Sequence, residues 1–281
     1  MLMKMRYVAV AIVAAMPFVF TSCGGPEGSR SGVTAEDGVV NSVEVVQSLK
    51  SISRSYKMVS EEDTCWLTII NNVDWPEKIG SADITALQDT IMALSFRTYR
   101  QGDIDTSMKN YASDTRSYEL GTAEAVDSVP AEASTKAYYH EVKGRVIQLN
   151  TRYLSYEVSS TQYLGGAHPY SSSVPFTFDL AEGKVLEGID LFKPDMAEEL
   201  TMAVRSALAE RYGAEDLDLE SVGFFSNDIV PSDFVYVCDN MIVFYYNEYD
   251  IAPYYMGAIE VRLSPWMIEN CLTPMAKKLL L

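Results

Sequence analysis

Hydrophobic positions along this chain recur with two different periods. Phe176, Phe178 and Leu180 alternate with Thr177 and Asp179, the period of two that predicts a half-buried strand, and Pro175 opens it. Just upstream, Gly165-Gly166 permits the positive φ of a tight turn, and Pro169 forces His168 into an extended conformation. Glu182-Gly183-Lys184 predicts a second turn that returns the chain through residues 185–192. Residues 145–160 form the longest strand candidate. Residues 39–58 predict one long strand or two, and residues 64–73 another that Trp75-Pro76 ends. Residues 234–238 and 241–246 flank Asp239-Asn240, a two-residue hairpin signal, and residues 258–263 predict the last strand.

The helical period appears twice with clarity. Ile84, Leu87, Ile91 and Leu94 predict a helix over residues 81–96, started by Ser81 or Asp83. Met196, Leu200, Val204 and Leu208 predict a second over residues 193–212, with Pro194 in its first turn and Gly213 as its stop. Residues 101–135 are polar and predict a short helix and then a loop around Pro130; residues 265–272 predict another short helix. Strands grouped around a few helices, without regular βαβ alternation, predict an α+β fold. The expected arrangement is two closely packed lobes, residues 39–140 and 141–281, each a mainly antiparallel sheet with one principal helix.

The amino terminus has a different character. Lys4 and Arg6 precede an apolar run of 13 residues, 8–20, which suits a signal sequence and falls short of a bilayer-spanning helix. The run ends at Phe20-Thr21-Ser22-Cys23, similar to a bacterial lipobox. The expectation is a lipoprotein signal peptide over residues 1–22, lipid modification of Cys23, and a Gly- and Ser-rich tether over residues 23–38. That lipid would hold the protein to a membrane of the bacterial cell envelope. The periplasmic face is favoured over the cell surface, because no acidic run of the surface-export kind follows Cys23.

Charge narrows the choice of partners. The net charge is −17, which offers nucleic acid no positive footprint and attracts basic partners over long distances. Two histidines and no CxxC spacing leave no usual zinc site, so neither metal nor cofactor is expected. The favoured reading of Cys65, Cys238 and Cys271 is three buried free thiols. An oxidising envelope also permits one disulfide, and if one exists Cys238 and Cys271 are the chosen pair.

Catalytic residues are not expected. His168 has no G-x-S-x-G nucleophile to serve, and Ser171 to Ser173 form a loop-like run. Asp179, Glu182, Glu187 and Asp190 flank turns, where carboxylates are solvated. Tyrosines are the better recognition candidates, since each buries an apolar ring and keeps a hydroxyl for hydrogen bonding. Tyr236, Tyr245 and Tyr246 lie on strands and predict sheet packing. Tyr249, Tyr254 and Tyr255 lie on an irregular segment and, with Tyr163, Gly165, Gly166, His168 and Tyr170, are the candidates for ligand contact.

Two passages carry a family resemblance. Residues 163–169 (YLGGAHP), with Phe178-Asp179-Leu180, Gly183-Lys184 and Asp190-Leu191-Phe192, resemble the C-terminal domain of unknown function of the anti-sigma factor RsiV. Residues 247–257 (NEYDIAPYYMG) resemble its second hallmark, a tyrosine-rich loop before the last strand. Upstream, Trp75-Pro76 and the helix after Ser81 are similar to the companion domain of RsiV and of PdaC-type peptidoglycan deacetylases. The resemblance implies a non-enzymatic binding module, with a basic protein such as a lysozyme, or a cell-wall glycan fragment, as ligand. An enzyme acting on cell-wall glycan and a structural envelope component are the alternatives.

Overall fold

The computed structural model describes residues 44–281 apart from residues 62, 119 and 134–136. The signal peptide, Cys23 and the tether therefore lie outside the described residues. Seven strands form one large sheet: β1 (Val45–Val59), β2 (Thr64–Ile79), β3 (Thr122–Val126), β4 (Ala137–Leu149), β5 (Tyr153–Tyr163), β6 (Tyr170–Asp179) and β7 (Lys184–Val185). Their order is β3-β1-β2-β4-β5-β6-β7. All neighbours are antiparallel except β2 and β4, which run parallel. Helices α1 (Thr85–Phe96) and α2 (Ile104–Ser113) lie in the crossover between those two strands.

A second sheet of three antiparallel strands, β8 (Val235–Cys238), β9 (Met241–Tyr246) and β10 (Ile259–Leu263), has the order β10-β9-β8. After β7 come the single turn α3 (Gly188–Leu191) and the long helix α4 (Ala197–Tyr212); α5 (Pro274–Leu280) closes the described chain. The fold is α+β.

Alternation along the strands assigns the two faces of the large sheet. Leu154, Tyr156 and Val158 of β5 pack with Leu87, Ile91 and Phe96 of α1 and with Ile104 and Met108 of α2. Their neighbour Tyr153 joins the other core, with Val204 and Leu208 of α4 and Ile242 and Phe244 of β9. A period of two therefore serves two separate cores.

The small sheet docks through side chains. Edge strand β8 presents the Val237 N–H to the Thr177 hydroxyl (2.8 Å), and Ser155 donates to the Val237 carbonyl (2.5 Å). Ser155 and Thr177 are completely buried and lie 2.9 Å apart, so two hydroxyls occupy the place of a neighbouring strand.

Several expectations are corrected. Trp75-Pro76 does not end β2. A bulge in β2 itself, with Glu77 the extra residue opposite Val46/Gln47, follows the pair, and β4 accompanies β2 only as far as Val73, so the missing proline N–H breaks no rung with β4. Residues 145–160 are a hairpin, because Asn150 Oδ1 accepts the N–H groups of Arg152 (2.8 Å) and Tyr153 (3.0 Å) and turns the chain. Strand β3 falls in the stretch predicted to be helix and loop, and α5 adds an unpredicted C-terminal helix. The division at 140/141 falls inside β4, and the large sheet runs across it. For the cysteines the favoured reading stands and the conditional disulfide falls: Cys238 and Cys271 are free thiols buried in different clusters, and Cys65 is buried as well.

Other signals match their elements. Asp239 (φ 53°) and Asn240 (φ 55°) form the left-handed pair that joins β8 to β9. Gly213 (φ 73°) ends α4, and Asp83 accepts the Thr85 N–H at the start of α1 (3.0 Å). No described helix is long and apolar enough to cross a membrane.

Candidate functional site

Two segments about eighty residues apart in sequence build one aromatic surface. The first is the loop between β5 and β6, where Gly165 (φ 97°) and Gly166 (φ 104°) take conformations that disfavour a side chain. The Tyr163 hydroxyl donates to the Gly166 carbonyl (2.7 Å) and closes the loop. The second is the loop from β9 to β10. Asn247 ties it to β6, accepting the Ser173 N–H (2.6 Å) and donating to the Ser173 carbonyl (3.1 Å). One buried side-chain amide thus imitates a rung of sheet.

His168 and Tyr254 meet where the two loops join. Their rings stack with centroids 3.6 Å apart and planes 13° from parallel. Nδ1 of His168 lies 2.8 Å from the Pro169 carbonyl, which only accepts, so the hydrogen sits on Nδ1 and Nε2 faces the Tyr249 hydroxyl at 3.3 Å. Tyr249 also stacks near Tyr254, at 5.8 Å. It holds φ at 69°, a left-handed backbone on a bulky residue. Tyr163 continues the surface through Tyr139, with ring centroids 6.4 Å apart.

Tyr163, Gly166, His168, Tyr249 and Tyr254 are therefore brought together, with Gly165 in the same loop. Tyr170 opens β6 and is exposed. Tyr255 is 79% exposed and its hydroxyl lies against Gly223 on the far side of its loop. Exposed Phe225 joins that side, its N–H donating to the Ile251 carbonyl (3.0 Å). Residues 212–261 contain no lysine, arginine or histidine. Within them, Glu248 Oε2 is buried without a hydrogen-bond partner among the described residues.

The other sequence candidates have structural work. Tyr246 is buried and donates to the Val230 carbonyl; Tyr236 donates to Glu260 (both 2.7 Å). Burial pushes the Tyr245 hydroxyl up. Asp179 holds the turn after β6 by accepting the N–H groups of Ala181 and Glu182, and Asp190 pairs with Lys184 (2.5 Å). No group of three His, Cys, Asp or Glu side chains among the described residues could hold a metal ion.

The sequence reading missed His140. Its Nδ1 lies 2.7 Å from the Tyr118 hydroxyl and its Nε2 2.8 Å from the Ser160 hydroxyl, so in the neutral ring one nitrogen donates and the other accepts. Tyr111 covers the ring edge-on. Burial, reinforced by the Arg97 charge, pushes this histidine down to about 4, and it is neutral at pH 7. Only the alternation that sends Tyr139 and His140 to opposite faces of β4 could have signalled it.

Residues 189–265 match the family model described as a protein of unknown function (DUF3298), and residues 68–171 match the model described as deacetylase PdaC. A solved structure of a DUF3298 family member from Bacteroides fragilis is 23% identical, with a TM-score of 0.62, covering 86% of this chain and 98% of that one. A DUF3298 family protein from Pseudomonas aeruginosa is 14% identical, with a TM-score of 0.55, covering 85% and 98%. At these identities the likeness is one of fold. No curated protein matches the chain.

Proposed function

We propose that this chain is a non-enzymatic binding protein of the bacterial cell envelope, anchored through lipidated Cys23, which captures a basic protein on the aromatic surface around Tyr254. The observation that carries this reading is the stack of His168 on Tyr254, which joins the two passages resembling the RsiV domain. Exposed Tyr249 supplies an anchor of the kind that dominates protein interfaces, and exposed Tyr255 and Phe225 extend the aromatic area on the other side of the same loop. They sit in a fifty-residue stretch that is acidic and has no compensating base, which favours a cationic partner. Lysozyme is the first partner to test, by titration calorimetry against the full chain in detergent. No heat at about 100 μM protein and low salt, where a micromolar complex would saturate, would reject it.

The anchor has its own test. Cys23→Ala is expected to leave the protein unacylated and released by a carbonate wash; equal retention of wild type and variant would refute the role of Cys23. The description of the model matching residues 68–171 favours one second reading, an enzyme acting on cell-wall glycan. Turnover of muropeptides seen by mass spectrometry, and abolished by His168→Ala, would establish that reading instead.

A further inference from the structure

Strand β1 is paired along its whole length on one side and over only part of it on the other. Strand β2 lines the first side from Val45 to Val59, whereas β3 covers the second only over Ser55–Val59. Among the described residues, 45–54 therefore form an open edge of the large sheet, about 33 Å long at the usual rise of a strand. Along it, every second residue turns its backbone N–H and C=O away from β2, and these groups meet no backbone partner among the described residues. The other side of the sheet is closed: β7 pairs with the end of β6, and the Asn247 amide takes the place of a rung at Ser173.

The charge of this edge is the reverse of the molecule's. β1 carries Lys50, Arg54 and Lys57 and no acid, in a chain of net charge −17. Lys50, Ile52 and Arg54 share one face of the strand, and Ile52 packs there among the side chains of α1 and α2. Lys50 lies 3.7 Å from Asp105 of α2, and the Tyr56 hydroxyl fixes the end of that helix through the Ala112 carbonyl (2.6 Å). Arg54 is exposed and pairs with no carboxylate among the described residues. On the other face Val45 and Leu49 are exposed. Strand β3 shows which chemistry fits: its Glu124 stands directly opposite Lys57. A second copy of β1 would bring only like charges to the seam, which opposes pairing.

We propose that this edge is a docking site for an extended acidic segment of a partner protein, which adds as an antiparallel strand end to end with β3. Main-chain hydrogen bonds to residues 45–54 supply the affinity. Carboxylates opposite Lys50 and Arg54 select the partner, and apolar residues between them lie opposite Val45 and Leu49, since paired residues share a face. The site is independent of the tyrosine surface. The net charge of the chain repels an acidic segment at a distance, so any preference for one comes from the edge itself.

The probe is an acetylated decapeptide that alternates glutamate with valine and threonine. It is titrated into the full chain in detergent micelles and followed by calorimetry and hydrogen-exchange mass spectrometry. Saturable binding is expected, with exchange slowed at residues 45–54. The same peptide with lysine in place of glutamate is expected to bind roughly tenfold more weakly. A version with proline at alternate positions, which cannot donate to a ladder, is expected not to bind. Arg54→Glu, at an exposed position, is expected to weaken the glutamate peptide roughly fivefold and to strengthen the lysine peptide. Tyr254→Ala is expected to change neither, which separates this edge from the proposed protein-binding surface. Absence of saturation up to about 2 mM overturns the proposal. So does equal binding of the two charged peptides, or protection that falls outside β1. Protection of residues 45–54 before any peptide is added overturns it as well: if it grows with protein concentration a second copy fills the edge, and if it does not the chain's own amino-terminal stretch does.

Discussion

At the scale of single residues, the hydrogen bonds of each aromatic group determine what its substitution does. Tyr254 is half-buried beneath His168, so Tyr254→Ala removes a stacking partner without opening the core. It is expected to raise the dissociation rate of a bound basic protein by about 10- to 100-fold, measured by surface plasmon resonance, with little change in association rate. His140 gives a pH prediction. Its folded pKa, about 4, lies below the unfolded value near 6.5, so the unfolded chain binds the extra proton in that window. Stability is then full above pH 6.5 and falls as pH drops towards 4, by up to about 3 kcal/mol. Urea titrations of His140→Gln should lose that slope. Asn71 is fully buried, and among the described residues neither its side-chain Nδ2 nor its Oδ1 has a partner. Asn71→Leu, close in shape, is expected to stabilise the fold by about 1–2 kcal/mol, read as a higher urea midpoint.

At the scale of elements, close approach decides more than propensity. A Cβ on Gly144 of β4 would lie 2.3 Å from the Tyr156 hydroxyl, which is held by the Asp74 carbonyl at 2.7 Å. Gly144→Ala is therefore expected to destabilise by about 1–3 kcal/mol, whereas the same change at open, solvent-facing Gly188 removes no such contact. Thr177→Val keeps the volume but orphans the Val237 N–H. A cost of about 1–3 kcal/mol is expected, with faster hydrogen exchange in β8.

The same scale shows how far the sequence was legible. The α4 helix and the β8–β9 hairpin were readable because their stop signals, Gly213 and Asp239-Asn240, act on the local backbone. The β4–β5 hairpin was not, because Asn150-Thr151-Arg152 lacks glycine and turns the chain by a side-chain hydrogen bond. Trp75-Pro76 misled because β4 stops pairing at Val73 and a bulge at Glu77 lets β2 run on, and neither is signalled by the pair itself. For the surface, resemblance pointed to the two loops, but periodicity could not show that Asn247 would fasten one to β6 and stack Tyr254 on His168.

At the scale of the whole molecule, the uneven charge sets the conditions for association. Capture of a basic protein should weaken as salt rises from about 0.05 to 0.5 M, because the screening length falls from above 10 Å to a few ångströms. The change should appear in the association rate; a salt-independent rate would separate the acidic stretch from the encounter.

Strand β4 also has a consequence for how this chain tolerates insertions and deletions. Its hairpin to β5 and the bulge between Val146 and Gln148 pin the downstream half. Upstream, Tyr139 turns to the tyrosine surface and His140 to the helices. Deleting Glu141 moves every upstream residue one step along a fixed ladder, so Tyr139 and His140 exchange faces. A frame-preserving loss of one codon there would place Tyr139 in the histidine's buried socket, the histidine on the other face opposite Thr161, and Tyr138, drawn from the core, opposite Tyr163. Both faces of the sheet would fail from one lesion that leaves the composition almost unchanged.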